Sequence, residues 1–446
     1  MTYNVLAPSL APPERFPASP VESLDPGTRR RLVLEEIAHF RPSILCLQEV
    51  EDLGRRWSPR LRQLGYHAES FKPRRKSHGC CIAWQTAEWK LRRSQIISLT
   101  PNEHFPSLSG WCRAQGLPYP SKEYHYLKSQ HGINQRLQQS WRFRGSSSAA
   151  LAILESKSAR SALQSHDDQL LASYFSGMTI DGAPGDSQDT SSSPVKGLQW
   201  AAEPPPRGIV VATCHLHWDP AEPFVRLLQL ITIFDEIRRA NRKLHYPVIL
   251  AGDFNTVPDS PLYRLFTSRI TGEQPLSPDD LDQLVKAMHK FALSQLNLTM
   301  KQAIDLNESP FPFIPLPRQK AYVQSQIDKL VLPGQLYSAY AIGSSSSTGL
   351  TSEPQFTTYC DFVGTLDYIM FTGAPQSTDQ SADSQGKTES AAHQEDDPPG
   401  WLSCLMQRIL NLPPAEQVKP GIPSALYPSD HLSLMAEFSI RYTSGV

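Results

Sequence analysis

Several features that would assign this chain to a particular class of protein are missing from its sequence. It has no run of about 18 or more apolar residues and no charged-then-apolar leader, so neither a transmembrane helix nor a secretory signal is predicted. Its seven cysteines are scattered and form no CxxC pair of the kind found in zinc or redox sites. We therefore expect a soluble, intracellular protein, located in the cytoplasm, the nucleus or both.

An excess of charge of one sign is also lacking. Lys and Arg number 43 against 44 Asp and Glu, which gives a formal net charge of -1 and no whole-chain signature of a nucleic-acid binder. Any basic surface must therefore be local. Residues 72–76, with Arg142 and Arg144, are one candidate for contacts with backbone phosphates, and a solvated loop is the alternative.

Proline, in contrast, is abundant. The 39 prolines concentrate with Ser, Gly and Asp in segments that are too polar to order themselves. These segments are residues 181–206, 343–356 and 374–399, which we interpret as disordered surface insertions in a single domain spanning residues 1–446. The chain opens directly on a strand-like pattern, MTYNVLAPSL, which is consistent with a truncated N-terminus.

Short apolar runs alternate with helical periodicity in the rest of the chain, which predicts an α/β body. The strand-like runs are residues 43–47, 80–84, 149–154, 209–216, 248–251, 366–371 and 432–440. Helical periodicity covers residues 28–40 and 222–239, and the second of these has an apolar stripe typical of a core helix, formed by Phe224, Leu227, Leu228, Ile231, Phe234 and Ile237. Because polar residues end several runs, we expect the strands to deliver them to one rim.

The segment VILAGDFNTV predicts a buried strand that ends in Asp253 and Asn255. Alternation along a strand would point both side chains the same way, with Phe254 turned opposite. The carboxylate could align an attacking water, and the amide could donate to a phosphate oxygen. The alternative is an Asx turn that only caps the strand.

Glu49 follows another apolar run in the segment CLQEV. Magnesium is held by few protein carboxylates and keeps several waters, so a single glutamate supported by neighbouring groups is chemically sufficient. A solvated glutamate at a strand end is the alternative.

Two histidines, His215 and His217, end the run before the segment WDP, and their spacing would place them on one face. A zinc pair is one interpretation, although no third His lies nearby in sequence to complete the site, and any further ligands would be distant in sequence. We favour a phosphate contact for His215 and a structural role for His217.

Asp367 begins one predicted strand, and Asp430 and His431 precede the last one. An Asp and a His can form a pair in which the carboxylate fixes the imidazole tautomer and stabilises its protonated form. A turn before a strand would account equally well for the segment SDH.

Taken in order, these motifs resemble the endonuclease/exonuclease/phosphatase superfamily, and within it the carbon-catabolite-repressor-type deadenylases and their Angel and fungal Ngl relatives. The motifs are TYNVLA, LQEV, CHLHWDP, GDFN, LDY and SDH, spread over residues 2–440. The resemblance implies a deoxyribonuclease-I-like α/β fold, a four-layered sandwich of two packed mixed sheets flanked by helices.

The resemblance also implies roles at the site. A Mg²⁺ ion, with Mn²⁺ as an alternative, would be held by Glu49 with help from Asn4 and Asp430. The catalytic set would comprise Asp253 for water activation, Asn255 and His215 for phosphate binding, and Asp367 to orient His431.

The substrate implied by the resemblance is the 3′ end of single-stranded RNA, with poly(A) as one candidate. Pro220 and Phe362 match positions that contact bases in the deadenylases, although a core role for Phe362 is an alternative. No leucine-rich repeat precedes the nuclease motifs, so docking on a larger complex through such a module is not expected.

We therefore expect a magnesium-dependent RNA phosphodiesterase that works as a 3′-to-5′ exoribonuclease. Two alternatives remain open. One is a different phosphodiesterase or phosphatase of the superfamily, acting on inositol phosphates, lipids or abasic DNA. The other is an inactive RNA-binding scaffold with the same fold.

Overall fold

The computed structural model describes residues 1–72, 76–99, 147–157, 208–267, 276–296, 316–343, 353–374 and 401–443. Its strands are β1 Thr2–Asn4, β2 Ile44–Glu51, β3 Tyr66–Phe71, β4 His78–Gln85, β5 Trp89–Ile97, β6 Ser148–Ser156, β7 Gly208–His215, β8 Val248–Asp253, β9 Leu336–Ser338, β10 Thr358–Tyr359, β11 Val363–Gly364, β12 Asp367–Ala374, β13 Trp401–Ile409 and β14 Ala436–Thr443. The α-helices are α1 Pro26–Phe40, α2 Ser58–Gln63, α3 Pro223–Asn241, α4 Pro261–Thr267, α5 Pro278–Leu296, α6 Leu316–Ile327, α7 Ala339–Gly343 and α8 Ala415–Val418. Shorter helical turns lie at Pro8–Leu10, Pro13–Arg15, Val21–Leu24 and Leu53–Trp57.

These strands form two mixed sheets and a short hairpin. The smaller sheet has the order β1-β2-β4-β3, in which β1 runs parallel to β2 and the other neighbours are antiparallel. The larger sheet has the order β14-β13-β12-β8-β7-β6-β5, and β9 pairs with β12. Strands β10 and β11 form the hairpin.

Alternation of apolar residues divides the core into layers. Along β2, Cys46 packs between the two sheets, whereas Leu45 and Leu47 pack on the other side against α1. The outer face of the larger sheet is covered in the same way by α3, α5 and α6. The result is a helix–sheet–sheet–helix sandwich, which confirms the predicted fold class.

Helix α3 confirms the apolar stripe read from the sequence. All six residues of that stripe are at most 1% exposed, and they pack against the larger sheet. Helix α1 begins with Pro26 in its first turn, and the side chain of Asp25 accepts a hydrogen bond from the Thr28 N–H at 2.7 Å. Arg41, in the left-handed region at φ +46°, ends it.

Two predicted boundaries were wrong in ways that matter for function. The run predicted at 43–47 extends to Glu51, so Glu49 lies inside β2 and does not end it. The last strand begins at Ala436, later than predicted, and His431 instead forms an isolated bridge with Thr358. Isolated bridges allow a loop residue to be held by the sheet without being part of a strand.

The predicted insertions lie mostly outside the described residues. Residues 181–206, 344–352 and 375–399 belong to that part, as do residues 73–75, Arg142 and Arg144, so the interpretations of these segments stay predictions. The end of the second segment is described, and Phe356 is buried there against Val418 and Ile422.

Within the described residues, no helix is both long and apolar enough to cross a membrane.

Candidate active site

Three neighbouring strands of the larger sheet present polar side chains in one row at its rim. Asp253 at the end of β8 is paired in register with His215 on β7 and with Asp367 on β12. Residues two positions apart on a strand share a face. Ala251 packs between the two sheets, so Asp253 points to that side as well, and the same holds for the other two residues. The row therefore lies between the sheets, and all three residues are buried.

Glu49 reaches the same space from the smaller sheet because β2 contains a β-bulge. The register shifts between Leu47 and Val50, and Glu49 has a φ of +60°. In a regular strand Glu49 would share the outer face of Leu47. The bulge turns its carboxylate toward the larger sheet, which is the use of bulges seen beside active sites.

Asn4, the last residue of β1, connects the carboxylates of the two sheets. Its Nδ2 donates to Glu49 Oε1 and to Asp253 Oδ2, both at 3.1 Å. Its Oδ1 accepts from the Leu6 N–H at 3.1 Å, which fixes the orientation of the amide. The amide nitrogen therefore faces the site, and Asn4 holds two acids in place.

His431 and Asp367 form a hydrogen-bonded pair. His431 Nδ1 donates to Asp367 Oδ2 at 2.7 Å, and Thr357 Oγ1 donates to the same oxygen at 2.6 Å. Nε2 of His431 lies 3.8 Å from Asp253 Oδ2. Burial lowers the pKa of His431, but the carboxylates of Asp367 and Asp253 raise it, and the net pKa is well above the ordinary value.

His215 faces the acids without a short hydrogen bond to either. Its Nε2 lies 3.7 Å from Asp253 Oδ2 and 3.9 Å from Glu49 Oε1. Its Nδ1 is buried and has no hydrogen-bond partner within the described part of the chain. Burial raises the pKa of Glu49, but His215, the Ala7 N–H and the Asn4 amide lower it, and the net pKa is below the ordinary value.

Asp253 and Asn255 form the Asx turn that was the alternative interpretation of this segment. The turn uses only one carboxylate oxygen of Asp253, and the other faces the site. Asp253 Oδ1 accepts the N–H of Asn255 at 2.9 Å, while Oδ2 faces Asn4. Phe254 points into the helix layer, opposite to Asp253, as predicted. Asn255 has a φ of +48° and its Nδ2 donates to the Leu216 carbonyl at 3.0 Å.

Asp430 belongs to the same buried group. Burial raises its pKa, and the negative charge of Glu49 raises it further. The segment before it is fixed to the end of β1, since Ser429 Oγ donates to the Asn4 carbonyl at 2.6 Å. Arg29 on α1 reinforces this joint by donating to the carbonyls of Val5, Leu6 and Pro428.

The two predicted base-contacting residues lie on loops beside this group. Pro220 is exposed on the loop after β7. Phe362 is 44% exposed in the turn between β10 and β11, and Thr358 of that hairpin bridges to His431. Exposure of Phe362 argues against the core alternative. Trp218, which the sequence did not single out, is 62% exposed on the same loop as Pro220.

His217 is turned away from His215 and supports that loop. Its Nε2 lies 2.7 Å from Glu222 Oε2, and its N–H donates to Gln229 Oε1 at 2.9 Å. Arg226 donates to the carbonyls of His217 and Asp219 at 3.1 and 2.6 Å. Within the described residues, neither candidate metal cluster contains both histidines, so the geometry gives no support to a shared zinc site.

The donor set between the sheets fits a divalent cation. Asp253, Asp367 and His431 offer ligand atoms within 4.8 Å of one another, and Glu49 and Asp430 add further buried carboxylates. Arg29 donates its hydrogen bonds to backbone carbonyls, so within the described residues it forms no direct hydrogen bond with these carboxylates, although its charge acts on Asp430 and Glu49. Oxygen-rich sites of this kind suit hard cations.

The chain is similar to a known protein family and to several known proteins. The model of the Endonuclease/Exonuclease/phosphatase family matches residues 1–431. Probable RNA exonuclease NGL3 of Saccharomyces cerevisiae is 23% identical over 99% of this chain and 76% of its own length. Protein angel homolog 2 of Mus musculus is 24% identical over 99% of this chain and 69% of its own length.

The CCR4-Not complex 3′-5′-exoribonuclease subunit Ccr4 of Schizosaccharomyces pombe is 20% identical over 99% of this chain, which spans 49% of that protein. Among solved structures, ANGEL2, described as a 2′,3′-cyclic phosphatase, matches with a TM-score of 0.53 and 18% identity, over 98% of this chain and 93% of the other. This structural likeness shows a common fold.

Proposed function

Because the chain belongs to the endonuclease/exonuclease/phosphatase family, we propose that it hydrolyses phosphodiester bonds in RNA, working as a 3′-to-5′ exoribonuclease. The named exonucleases among its relatives support the reaction class. The proposal depends on one observation in particular. Asp253 Oδ2 is the oxygen that the amide of Asn4 and the Nε2 atoms of His215 and His431 all face, within 3.1 to 3.8 Å.

Asp253 would activate the attacking water. Its Oδ1 is engaged by the turn, so Oδ2 is the oxygen that would accept a proton from, or align, the attacking water. The Asn4 amide fixes the direction of that oxygen. A pre-oriented acceptor lowers the barrier because no reorganisation is needed when the proton moves.

The phosphate would be held by cationic and polar groups close to Asp253. His431, whose pKa is raised by its carboxylate partners, would present a protonated imidazole to the phosphate oxygens. His215 and Asn255 would donate further hydrogen bonds. Asn255 uses Nδ2 for the Leu216 carbonyl, which occupies one of its two amide hydrogens and leaves the other for a ligand.

Glu49, with Asp430 and the orienting Asn4, would hold the metal, which we propose to be Mg²⁺, with Mn²⁺ as an alternative. A divalent cation bound there would neutralise the charge that develops on the phosphoryl oxygens. Glu49 suits this role because, although burial raises its pKa, the neighbouring His215 and the hydrogen bonds from the Ala7 N–H and the Asn4 amide bring the pKa below its ordinary value.

The RNA partner is inferred to be a single-stranded 3′ end, with poly(A) as a candidate. Phe362 and Trp218 are exposed aromatic side chains beside the site, and unstacked bases bind to such rings. Pro220 lies on the loop that carries Trp218. We place the protein inside the cell, in the cytoplasm or nucleus, since the six cysteines of the described residues are all free.

Asp253→Asn tests the proposal. Asparagine keeps the shape and can still accept the hydrogen bond of the turn, but it cannot take a proton. We expect the rate of RNA cleavage in Mg²⁺ to fall by about 100- to 10,000-fold while RNA binding persists. The measurement is single-turnover cleavage of RNA labelled at its 5′ or 3′ end, with A, U or C tails, in Mg²⁺, Mn²⁺ or chelator.

Asp259→Asn is the matched control, because Asp259 lies in the same segment and is exposed. Its activity should equal that of the wild type. Retained turnover by Asp253→Asn in a clean preparation would overturn the catalytic assignment. A wild-type protein that binds RNA but cleaves none of the panel would favour the scaffold alternative, and cleavage of inositol phosphates or abasic DNA instead would favour the other phosphodiesterases.

A second candidate reaction is the opening of a 2′,3′-cyclic phosphate at an RNA end. It is favoured by the ANGEL2 structure, which carries that description, and by the angel homolog among the relatives. A cyclic phosphate is also a phosphodiester, so the same water and acid groups would serve. RNA ending in a 2′,3′-cyclic phosphate separates the two: ring opening leaves the chain length unchanged, whereas exonuclease action shortens it.

A further inference from the structure

A concave, positively charged surface lies between strand β5 and the C-terminal end of helix α3. Its volume is about 480 Å³, and its lining includes Ile153, Ala240 and Leu244. Five cationic side chains complete that lining: Arg92, Arg93, Arg239, Arg242 and Lys243. We call this surface the basic groove. The chain as a whole carries a formal charge of -1, so such a concentration of positive charge is a local feature.

A β-bulge explains how two consecutive arginines of β5 reach the same groove. Neighbouring residues of a regular strand point to opposite faces. The pairing of β5 with β6 shifts between Leu91 and Arg93, so Arg92 is the extra residue. Because β5 is the edge strand of the larger sheet, both side chains extend beyond the sheet toward α3.

Most of the positive charge in the groove is uncompensated. Arg92 is paired with Glu155 at 2.6 Å, and Arg239 is paired with Glu236. The other three cations are exposed and form no ion pair within the described residues. Closely spaced cations repel one another, so their grouping in one concavity destabilises the unliganded protein. An anionic ligand would relieve this repulsion.

The dipole of α3 accounts for part of this arrangement. Cations at a helix C-terminus are favourable by themselves, and Arg239, Arg242 and Lys243 lie at that end. The dipole does not account for the two arginines that the bulge brings from another element. Four of the five cations are arginines, whose planar forks match phosphate oxygens in a bidentate way.

The groove is separate from the catalytic rim. Ser148 of β6 pairs with His215 at the rim, whereas Ile153 lines the groove five residues further along the same strand. At about 3.4 Å per residue, the two are roughly 17 Å apart. Ile153 belongs to the core on the helix-covered face of the larger sheet, whereas the rim residues face the smaller sheet. An RNA that occupies the rim through its 3′ end must therefore pass around the edge of the larger sheet to reach the groove.

We propose that the basic groove binds the phosphate backbone of the RNA substrate upstream of the reacting 3′ end. This inference rests on the proposed function, because it takes RNA as the polyanion. The groove would add affinity for long RNA and leave the chemistry at the rim unchanged. It would also keep a long substrate bound between successive cleavages.

The test compares two triple variants of the full chain. Arg93→Gln, Arg242→Gln and Lys243→Gln together remove the three unpaired cations. Arg55→Gln, Arg60→Gln and Arg62→Gln together remove the same charge from exposed positions around α2. Steady-state cleavage is measured with RNA of about 5 and about 30 nucleotides, at several salt concentrations.

For the groove variant we expect KM on the long RNA to rise about 10-fold and its salt dependence to weaken, with KM on the short RNA and kcat unchanged. The control variant should behave as the wild type on both. Equal KM values for the long RNA in wild type and groove variant would overturn the inference. So would a groove variant that binds anionic vesicles or an acidic peptide more weakly than the wild type while its KM for the long RNA is unchanged. If the wild type cleaves neither RNA, the proposed function fails instead.

Discussion

Two buried histidine–carboxylate pairs differ in what surrounds them: one belongs to the rim of the larger sheet, and the other lies in the loop after β7. His431 Nδ1 and Asp367 Oδ2 are 2.7 Å apart, and His217 Nε2 and Glu222 Oε2 are also 2.7 Å apart. The first pair joins residues 64 positions apart in the chain, and the second joins residues five positions apart. Pair geometry alone therefore does not identify a catalytic residue.

The charges near each pair separate their roles. The free nitrogen of His431 faces a third carboxylate, Asp253, at 3.8 Å, so negative charge accumulates there and raises the pKa of the imidazole. Beside the second pair lies a cation, Arg226, whose guanidinium is bound to loop carbonyls and whose pKa burial lowers to about 10. We therefore propose that the first pair binds an anionic substrate, whereas the second supports the loop after β7.

Among the substitutions that test this comparison, Asp367→Asn should lower kcat the most. An amide cannot hold His431 in its protonated form, and the tautomer of the ring would no longer be fixed. We expect kcat on RNA to fall by about 100- to 10,000-fold with little change in the thermal midpoint of unfolding. The control is Asp361→Asn, an exposed aspartate in the β10–β11 hairpin. A kcat within a few-fold of the wild type would show that the first pair has no catalytic role.

Thr357→Val should have an intermediate effect. Thr357 Oγ1 donates to Asp367 Oδ2 at 2.6 Å and accepts the N–H groups of Leu366 and Asp367. Valine keeps the volume but removes one hydrogen bond from the carboxylate that holds His431. We expect kcat to fall by about 3- to 10-fold, the equivalent of one hydrogen bond. Thr357→Ser retains the hydroxyl and should restore activity, and failure of that rescue would contradict the explanation.

The sequence predicted the parts of the site that depend on regular alternation. Asp253 ends one apolar run and Asp367 begins another, and the two antiparallel strands bring them into direct register. The apolar stripe of α3 was predicted for the same reason, since periodicity is a local property. For Asp430 and His431 the residues alone left a turn as an equal alternative, because a polar tripeptide before a strand has no period of its own, and the family resemblance favoured a role at the site.

The sequence could not predict the contacts between distant segments that hold the site residues in place. The local sequence does not indicate the β-bulge that turns Glu49 toward the larger sheet, because the bulge is a shift in the pairing of β2 with β4. Asn4 contacts Asp253 across 249 positions, and Arg29 joins two loops 399 positions from its partner carbonyl at Pro428. Conformations at positive φ, as in Glu49, are likewise imposed by the surrounding structure.

Glu222→Gln should have the smallest effect on chemistry. Glutamine can still hydrogen-bond His217, and the loop remains fixed by Arg226 and Gln229. We expect kcat to stay within about three-fold of the wild type and the free energy of unfolding to fall by about 0.5–1.5 kcal/mol, the net value of one weakened hydrogen bond. Denaturant titration and the RNA assay used for Asp367→Asn measure both. A fall in kcat as large as that of Asp367→Asn would mean that the second pair also acts on the substrate, and the distinction drawn from the neighbouring charges would be wrong.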